Sequence, residues 1–147
     1  MPLTWYLSVR NQDKQEKRMN RFLAIGALFG LLAVIIGAFG AHGLENNLSE
    51  HALSRYHTGV QYQFYHVIPL LVLGIISSQL NSSSANTPRL ITLSGISFIV
   101  GIFLFSGSLY LYALTGITKF GMVTPIGGLA FILGWVFLII YAVKAKD

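Results

Sequence analysis

The sequence lacks cysteine altogether and is poor in charged residues, and each shortage narrows what the chain can be. Without cysteine there are no disulfides and no thiolate ligands for zinc or iron–sulfur clusters. Charged residues make up 10% of the 147 residues, whereas a soluble globular domain usually carries about 25%. Hydrophobic residues make up 54%, and long stretches of them contain no charge. The composition therefore indicates one domain that is surrounded mostly by lipid.

The net charge of +5 does not indicate a nucleic-acid-binding protein. Five of the ten Lys and Arg residues precede the first long apolar run, and the others are scattered between the later runs. Basic residues beside apolar segments orient membrane helices, whereas nucleic acid is bound by a basic patch. The partner that the sequence predicts is therefore the lipid bilayer, and no nucleic acid.

Four segments are predicted to cross the membrane, at about 22–41, 56–76, 89–114 and 125–143. The first holds twenty residues without a charge, and at 1.5 Å per residue it crosses a hydrocarbon core of roughly 30 Å. A cleaved signal peptide is the competing interpretation of this run, but the apolar region of a signal peptide holds about 7–15 residues. The sequence therefore predicts an all-α membrane protein, with a four-helix transmembrane bundle over 19–147.

The second span is the one that carries polar residues. Its purely apolar part, 67–76, has ten residues, which is half of the roughly 20 that a crossing needs. The polar stretch 56–66 must therefore enter the membrane as helix, because unpaired backbone groups are costly in lipid. Its side chains are expected to face protein. Ser49 is predicted to cap this helix, and a loop is predicted over 77–87.

Thr-Pro pairs and basic residues predict how the later spans begin and how the bundle is oriented. Thr87 and Thr124 are predicted N-caps, each followed by proline at the first helical position. With both termini in the cytoplasm, eight of the ten Lys and Arg lie inside, and only Arg55 and Lys119 lie outside. The positive-inside rule therefore predicts that both termini are cytoplasmic.

Small residues form a stripe along three of the spans. They let helix backbones approach closely, and van der Waals contact is the main attraction between helices in lipid. The stripes predict tight packing within one bundle, with contact to a second copy or to another membrane protein as the alternative for span one. The predicted packing residues are Gly26, Gly30, Ala33, Gly37 and Gly40 in span one, Ser97 and Gly101 in span three, and Gly127 and Gly134 in span four.

A polar face of span two is the candidate functional site. Helical spacing places Arg55, Gly59, Tyr62 and His66 on this face, with Gln63 beside it. An ionisable residue inside the membrane is a functional hypothesis, and histidine exchanges its proton near neutral pH. The alternative is that a neutral His66 bonds to a Ser or Tyr of span three and fixes helix register. Tyr62 and Gln63 are open to the same two interpretations.

Ser106 and Ser108 add polar groups near the end of span three. With Tyr110 they predict either an anchor at the membrane interface, packed closely at Gly107, or the lining of a pocket. Both serines are therefore included in the candidate site.

No metal ligand, cofactor or catalytic residue is predicted. The four histidines show no His-Glu-x-x-His spacing, and no acidic residue lies inside a predicted span. A Ser-His-Asp arrangement has little support, because no aspartate occurs between Asp13 and Asp147. We therefore expect a protein that is not an enzyme.

Four motifs follow one another along the chain. They are GAFGAHGL at 37–44, Tyr62-Gln63 with His66, FSGSLY at 105–110, and TPIGG at 124–128 with Gly134-Trp135. Together they resemble the YgdD/YwdK-like family, which comprises small bacterial inner-membrane proteins of unknown function with transmembrane relatives in eukaryotes. The resemblance implies a multi-pass inner-membrane protein and supplies no reaction, ligand or catalytic residue.

The resemblance also bears on the start of the chain. Family members usually begin with a short Met-Asn-basic segment directly before span one, and Met19-Asn20-Arg21 has that form. We therefore expect Met19 to be the authentic start, with 1–18 as an upstream extension or a disordered segment.

The expected function is that of a non-enzymatic structural or accessory membrane component. The short predicted loops leave little room for a soluble active site. The alternative is a small transporter or a lipophile-binding protein. It would use a polar intramembrane face formed by Arg55, Tyr62, Gln63, His66, Ser106 and Ser108.

Overall fold

The computed structural model describes residues 20–82 and 88–144, with the backbone alone at 81 and 82. Its four long helices are α1 (Arg21–Leu44), α2 (Glu50–Ser82), α3 (Arg89–Thr115) and α4 (Thr124–Lys144). All four are long and apolar enough to cross a membrane, and the described ranges contain no strand. The predicted all-α, four-helix fold is confirmed. The predictions for 1–18 and Met19 lie outside the described residues. The predicted start of α3 is wrong by one residue, because Pro88 is the N-cap of this helix rather than its first helical residue.

Helix α1 begins at a polar cap that also contacts α2. The side-chain oxygen of Asn20 accepts a hydrogen bond from the N–H of Leu23, at 3.3 Å, which satisfies a donor that the helix start leaves free. The Asn20 amide nitrogen donates to the carbonyl of Gly74 on α2. At its other end, α1 finishes with a π-helical turn over Gly40–Leu44.

Helix α2 is longer than the sequence predicts. The N–H of Ala52 donates to Ser49 Oγ at 3.3 Å, so the predicted Ser49 cap is confirmed. The 33 residues of Glu50–Ser82 measure about 50 Å, well beyond a hydrocarbon core of roughly 30 Å. The loop predicted from residue 77 is wrong up to Ser82, because no Gly or Pro interrupts this stretch and Leu80 packs against the core.

Helix α3 contains a π-helical turn and ends at a glycine. Over Ile102–Ser106 the chain makes one wider turn, which the N–H of Gly107 closes by donating to the carbonyl of Ile102. After Thr115, Gly116 adopts φ 71° and its N–H donates to the carbonyl of Tyr112. Glycine suits this left-handed position because it carries no Cβ.

Helix α4 starts one residue earlier than the Thr-Pro pair predicts. The N–H groups of Ile126 and Gly127 donate to the carbonyl of Val123, so Val123 takes the cap position. The predicted Thr124 cap is therefore wrong. The hydroxyl of Thr124 is instead 2.8 Å from Ser108 Oγ on α3, a partner that local sequence does not show.

The helices α2 and α3 lie at the centre, with α1 packed against α2 and α4 packed against α3. Neighbours in sequence run antiparallel, so Arg21, Ser82, Arg89 and Lys144 share one end of the bundle, here the Arg21 end. The opposite end is the Glu50 end. The core of buried apolar side chains lies between the helices and consists of Phe29, Val67, Leu70, Leu73, Ile91, Phe98, Ile102 and Phe131.

The register of α1 on α2 fixes how deep the polar stretch 56–66 lies. Gly30 packs against Val67, and Gly40 packs against Tyr56. Extended along both helices, this register places the middle of the uncharged run 22–41 opposite Tyr65 and His66. The stretch 56–66 therefore lies at the depth of an apolar helix.

The predicted packing residues lie mostly where helices meet. In α1, Gly26, Gly30, Gly37 and Gly40 face α2 of the same chain, and Ala33 is 1% exposed. This stripe is therefore covered and is not available to a second copy. In the α3–α4 contact, Gly101 faces Phe131, Gly134 faces Phe98, and Gly127 faces the backbone at Phe105. Ser97 is only half-buried, and the serine at the centre of that contact is Ser94.

Candidate functional site

The imidazole of His66 is buried between α2 and α4. Its Nδ1 donates to the carbonyl of Tyr62 at 2.7 Å, and its Nε2 accepts from Trp135 Nε1 at 3.3 Å. Because the indole nitrogen can only donate, Nε2 must be the acceptor and Nδ1 must carry the proton. Both ring nitrogens of the neutral histidine are therefore occupied within the chain.

Aromatic rings enclose this histidine. The His66 ring stacks on Phe131 of α4 with centroids 3.5 Å apart and planes 5° apart. Phe98 of α3 lies 5.6 Å away, and Phe98 packs edge-on against Trp135 at 5.3 Å. The partner of His66 is thus an indole of span four rather than the Ser or Tyr of span three that the sequence analysis considered. Where His66 faces α3 it meets Phe98, which offers no hydrogen bond.

Gln63 joins three helices. Its Nε2 donates to the carbonyl of Phe29 on α1 at 2.8 Å, and its Oε1 accepts from the hydroxyl of Tyr110 on α3 at 2.9 Å. The residue is 3% exposed. Such a buried amide is tolerated in lipid only when its donor and acceptor find partners, and both have done so.

Tyr56 also connects α2 to α1, two helical turns nearer the Glu50 end than Gln63 does. Its hydroxyl donates to the carbonyl of Ile36 on α1 at 2.8 Å. Its ring lies 5.2 Å from that of Tyr110, beside the contact of Tyr110 with Gln63. Two side chains of α2 thus donate hydrogen bonds to backbone carbonyls of α1. These connections therefore require no polar side chain on α1.

Tyr62 and Arg55 lie apart from Gln63. The Tyr62 ring is 38% exposed and stacks on Phe105 with centroids 4.4 Å apart. The Arg55 guanidinium lies over the ring of Tyr112, 4.3 Å from its centroid, which is a cation–π contact. The predicted polar face is therefore divided between neighbours on all three other helices rather than aimed at one cavity.

Ser106 and Ser108 point to different places. Ser106 is fully buried, and its hydroxyl has no hydrogen-bond partner among the described residues. Ser108 bonds to Thr124 and donates to the carbonyl of Phe105 at 3.0 Å, so it fixes α4 to α3. The two serine hydroxyls therefore do not line the same cavity.

An apolar groove of about 540 Å³ runs along α3 near the Glu50 end. A Cβ added to Gly107 would meet no atom within 4 Å, so the groove is open at this glycine. Ser108 and Tyr110 line it, as the pocket interpretation expected, but Ser106 does not. The lining residues are Phe103, Leu104, Gly107, Ser108, Tyr110, Leu111, Phe120 and Val123.

Trp135, Phe131 and Ser94 are site residues that were not predicted. The hydroxyl of Ser94 donates to the carbonyl of Gly134 at 2.7 Å, beside the aromatic contacts of His66. Helical spacing around Gly134 could have identified the two aromatic residues, because it puts Phe131 and Trp135 on successive turns of α4. In 20–82 and 88–144, no three His, Cys, Asp or Glu residues cluster so that they could hold a metal ion.

Related proteins are found in several bacteria. The family described as "Protein of unknown function (DUF423)" matches residues 36–128. The "UPF0382 membrane protein YwdK" of Bacillus subtilis is 43% identical over 126 residues, which cover 86% of this chain and 98% of that protein. A "UPF0382 membrane protein" of Staphylococcus epidermidis is 44% identical with the same coverage. One of Haemophilus influenzae is 39% identical over 128 residues, covering 87% of this chain and 98% of its own. No solved structure matches the chain.

Proposed function

Because this chain belongs to the DUF423 family of unknown function, whose relatives are named as membrane proteins, we propose that it is a non-enzymatic structural or accessory component of the bacterial inner membrane. Family membership confirms the resemblance inferred from the four motifs. With the four long apolar helices, it identifies a multi-pass membrane protein.

The hydrogen bonding of the α2 polar face carries this proposal. Gln63 bonds to α1 and α3, and His66 bonds within α2 and to α4. A group that binds or transports a ligand must present a donor or acceptor to it, whereas these groups already bond to neighbouring helices. Interhelical hydrogen bonds of this kind hold membrane bundles in register. They favour a packing role for the polar residues.

The charge distribution supports the orientation that we propose, with both termini in the cytoplasm. Arg21, Arg89 and Lys144 lie at the Arg21 end of the bundle, whereas Arg55 and Lys119 lie toward the Glu50 end. By the positive-inside rule, the Arg21 end faces the cytoplasm.

Substitution of His66 tests the packing role. In His66→Ala the stacked ring of Phe131 and the N–H of Trp135 both lose their partner, so we expect a lower melting temperature and less folded protein. His66→Phe keeps a ring against Phe131 and should recover most of the stability. Melting of the purified full-length protein, followed by circular dichroism in one detergent, compares the three forms.

The opposite result would favour a binding or transport role. If His66→Ala melts at the wild-type temperature and accumulates to the wild-type level, then the buried histidine does not support the fold. A buried polar group that costs nothing to remove would then need another reason to be there, and the packing proposal would be wrong.

The groove on α3 supports a second candidate function, the binding of a lipophilic molecule. Its 540 Å³ volume falls within the range of small-molecule pockets, about 300–1,000 Å³. Gly107→Phe would place a ring at the groove, where an added Cβ meets no atom within 4 Å. Photolabelling with a diazirine-bearing fatty acid should then decrease, whereas Ile132→Phe, on an exposed face of α4, should leave labelling unchanged. Equal labelling of all three proteins would exclude this candidate.

A further inference from the structure

Helix α2 has an exposed face between α1 and α4, and polar residues lie on it. This outward face consists of Gln61, Tyr65, Ile68, Val72 and Ile75, which follow one another at helical spacing. Tyr65 is 56% exposed and Ile68 is 58% exposed, and Gln61 is also exposed. An all-apolar face would simply meet lipid, so the two polar residues are what require an explanation.

Both polar residues lie deep in the membrane. The contacts of Gly30 with Val67 and of Gly37 with Val60 set the register of α1 on α2. In this register Tyr65 lies opposite the middle of the uncharged run of α1, and Gln61 lies about 6 Å nearer the Glu50 end. The middle of the hydrocarbon core is about 15 Å from either surface, which is farther than a tyrosine side chain reaches.

Neither side chain has a hydrogen-bond partner among the described residues. The ring of Tyr65 lies 6.0 Å from the ring of Tyr62, but among the described residues its hydroxyl forms no hydrogen bond, and neither does the amide of Gln61. Gln63, by contrast, lies two residues further along α2, and both the donor and the acceptor of its amide are paired. Unpaired amide and hydroxyl groups are costly in an apolar environment, and acyl chains offer them no hydrogen bond.

We propose that this outward face binds a second copy of the chain, with Gln61 and Tyr65 hydrogen-bonded across a two-fold axis normal to the membrane. Two copies in one membrane share an orientation, so a two-fold axis brings each residue close to its own counterpart at the same depth. A glutamine amide carries both a donor and an acceptor and can therefore pair with itself. The tyrosine hydroxyl has the same property, and the flanking Ile68 and Val72 supply apolar contact.

A second copy fits this face better than a partner of different sequence. The face carries no charge that would need an opposite charge, and its polar groups are satisfied by identical groups. Glutamine side chains also promote association between membrane helices. A dimer of this kind is compatible both with a structural role of the protein and with the binding of a lipophile.

The absence of cysteine from the chain makes cross-linking a clean test. Ile68→Cys places a thiol on the outward face and leaves Gln61 and Tyr65 intact. Ile139→Cys is the matched control, because Ile139 is 61% exposed on α4, which packs alongside α2 in the same direction. Mild oxidation of membranes that contain the full-length protein should link Ile68→Cys into a species of twice the mass and leave Ile139→Cys as a monomer.

Two results would overturn the proposal. One is cross-linking of Ile68→Cys that does not exceed that of Ile139→Cys. The other is cross-linking of Ile68→Cys to a protein of different mass, which would assign the face to a different partner.

Removal of the two polar groups provides an independent measurement. Gln61→Leu with Tyr65→Phe makes the face apolar, and since both side chains are exposed, the fold should be retained. Energy transfer between labelled copies in phosphatidylcholine vesicles should show a dissociation constant raised by about tenfold. Circular dichroism checks that the variant is folded. An unchanged dissociation constant, or a wild-type protein that stays monomeric, would contradict the proposal.

Discussion

The α1–α2 contact and the α3–α4 contact both depend on glycine, but Gly30 of α1 and Gly127 of α4 meet different atoms. In α1, a Cβ added to Gly30 would lie 3.5 Å from the side chain of Val67, which is an ordinary distance. In α4, a Cβ added to Gly127 would overlap the backbone nitrogen of Phe105. A flexible side chain can move aside, but a helix backbone cannot without separating the helices. The α3–α4 contact is therefore tighter at Gly127 than the α1–α2 contact is at Gly30. Among the described residues, the helices α1 and α2 come comparably close only near the Arg21 end, where a Cβ added to Gly74 would overlap the backbone of Leu23.

The polar connections differ in the same sense. Across α1–α2 two of them are long side chains, since Gln63 and Tyr56 reach carbonyl oxygens of α1, and the short Asn20 reaches α2 only at the close approach near Gly74. Across α3–α4 they are short hydroxyl groups, since Ser94 reaches the carbonyl of Gly134, and Ser108 reaches Thr124. Short groups bridge two helices only where the backbones are close. Spacing and hydrogen bonding thus agree, and both can be tested by substitution.

The largest effect is expected at Gly127. Gly127→Ala puts a methyl group into the backbone of α3, and because neither helix can yield locally, we expect a loss of about 3 kcal/mol in unfolding free energy. Unfolding in sodium dodecyl sulfate, followed by circular dichroism, measures it. Gly128→Ala is the control, because its added Cβ would lie 3.9 Å from the ring of Phe105. Equal stability of the two variants would show that the α3 backbone does not lie against Gly127.

A smaller effect is expected from the loss of the amide that joins α1 to α3. Gln63→Leu removes the bonds to Phe29 and Tyr110 and leaves the tyrosine hydroxyl unpaired, so we expect a loss of about 2 kcal/mol. Tyr110→Phe removes one of the two bonds and should cost about half as much. The same unfolding measurement compares them. If Gln63→Leu is as stable as the wild type, α1 is held by apolar packing alone.

The smallest effect is expected at Gly30. Gly30→Ala adds a methyl group at ordinary contact distance from Val67, and alanine favours helix over glycine by up to about 1 kcal/mol. The variant should therefore be as stable as the wild type or slightly more stable. A clear loss of stability in the unfolding measurement would mean that α1 lies as close to α2 at Gly30 as α4 lies to α3 at Gly127.

The sequence was sufficient to predict the number of helices and several of their ends. Long apolar runs define the spans because helix length must match bilayer thickness. Local chemistry located the cap at Ser49, and it located the start of α3 to within one residue, because Pro88 is the cap of that helix. The stretch 56–66 was also predicted to lie in the membrane as helix, because backbone N–H and C=O groups must be hydrogen-bonded within the chain in lipid.

The partners of the polar residues could not be predicted in this way. A π-helical turn inserts one extra residue and rotates everything after it by about 100° relative to regular spacing. The turn at Ile102–Ser106 does this between Ser97 and Ser108, so the two do not share a face as regular spacing implies. Likewise, the contact of His66 with Trp135 depends on how α2 and α4 are rotated. Tertiary packing determines that rotation, and helical periodicity does not.

The length of α2 has a consequence for how the protein responds to its membrane. Its ends extend past the apolar run of α1 on both sides of the bundle and carry polar residues. Hydrophobic mismatch therefore acts mainly on the peripheral helices α1 and α4, whose apolar side chains are widely exposed. In a thinner bilayer these two helices would tilt, and a thicker bilayer would become thinner around them, while the long central helix α2 keeps its position.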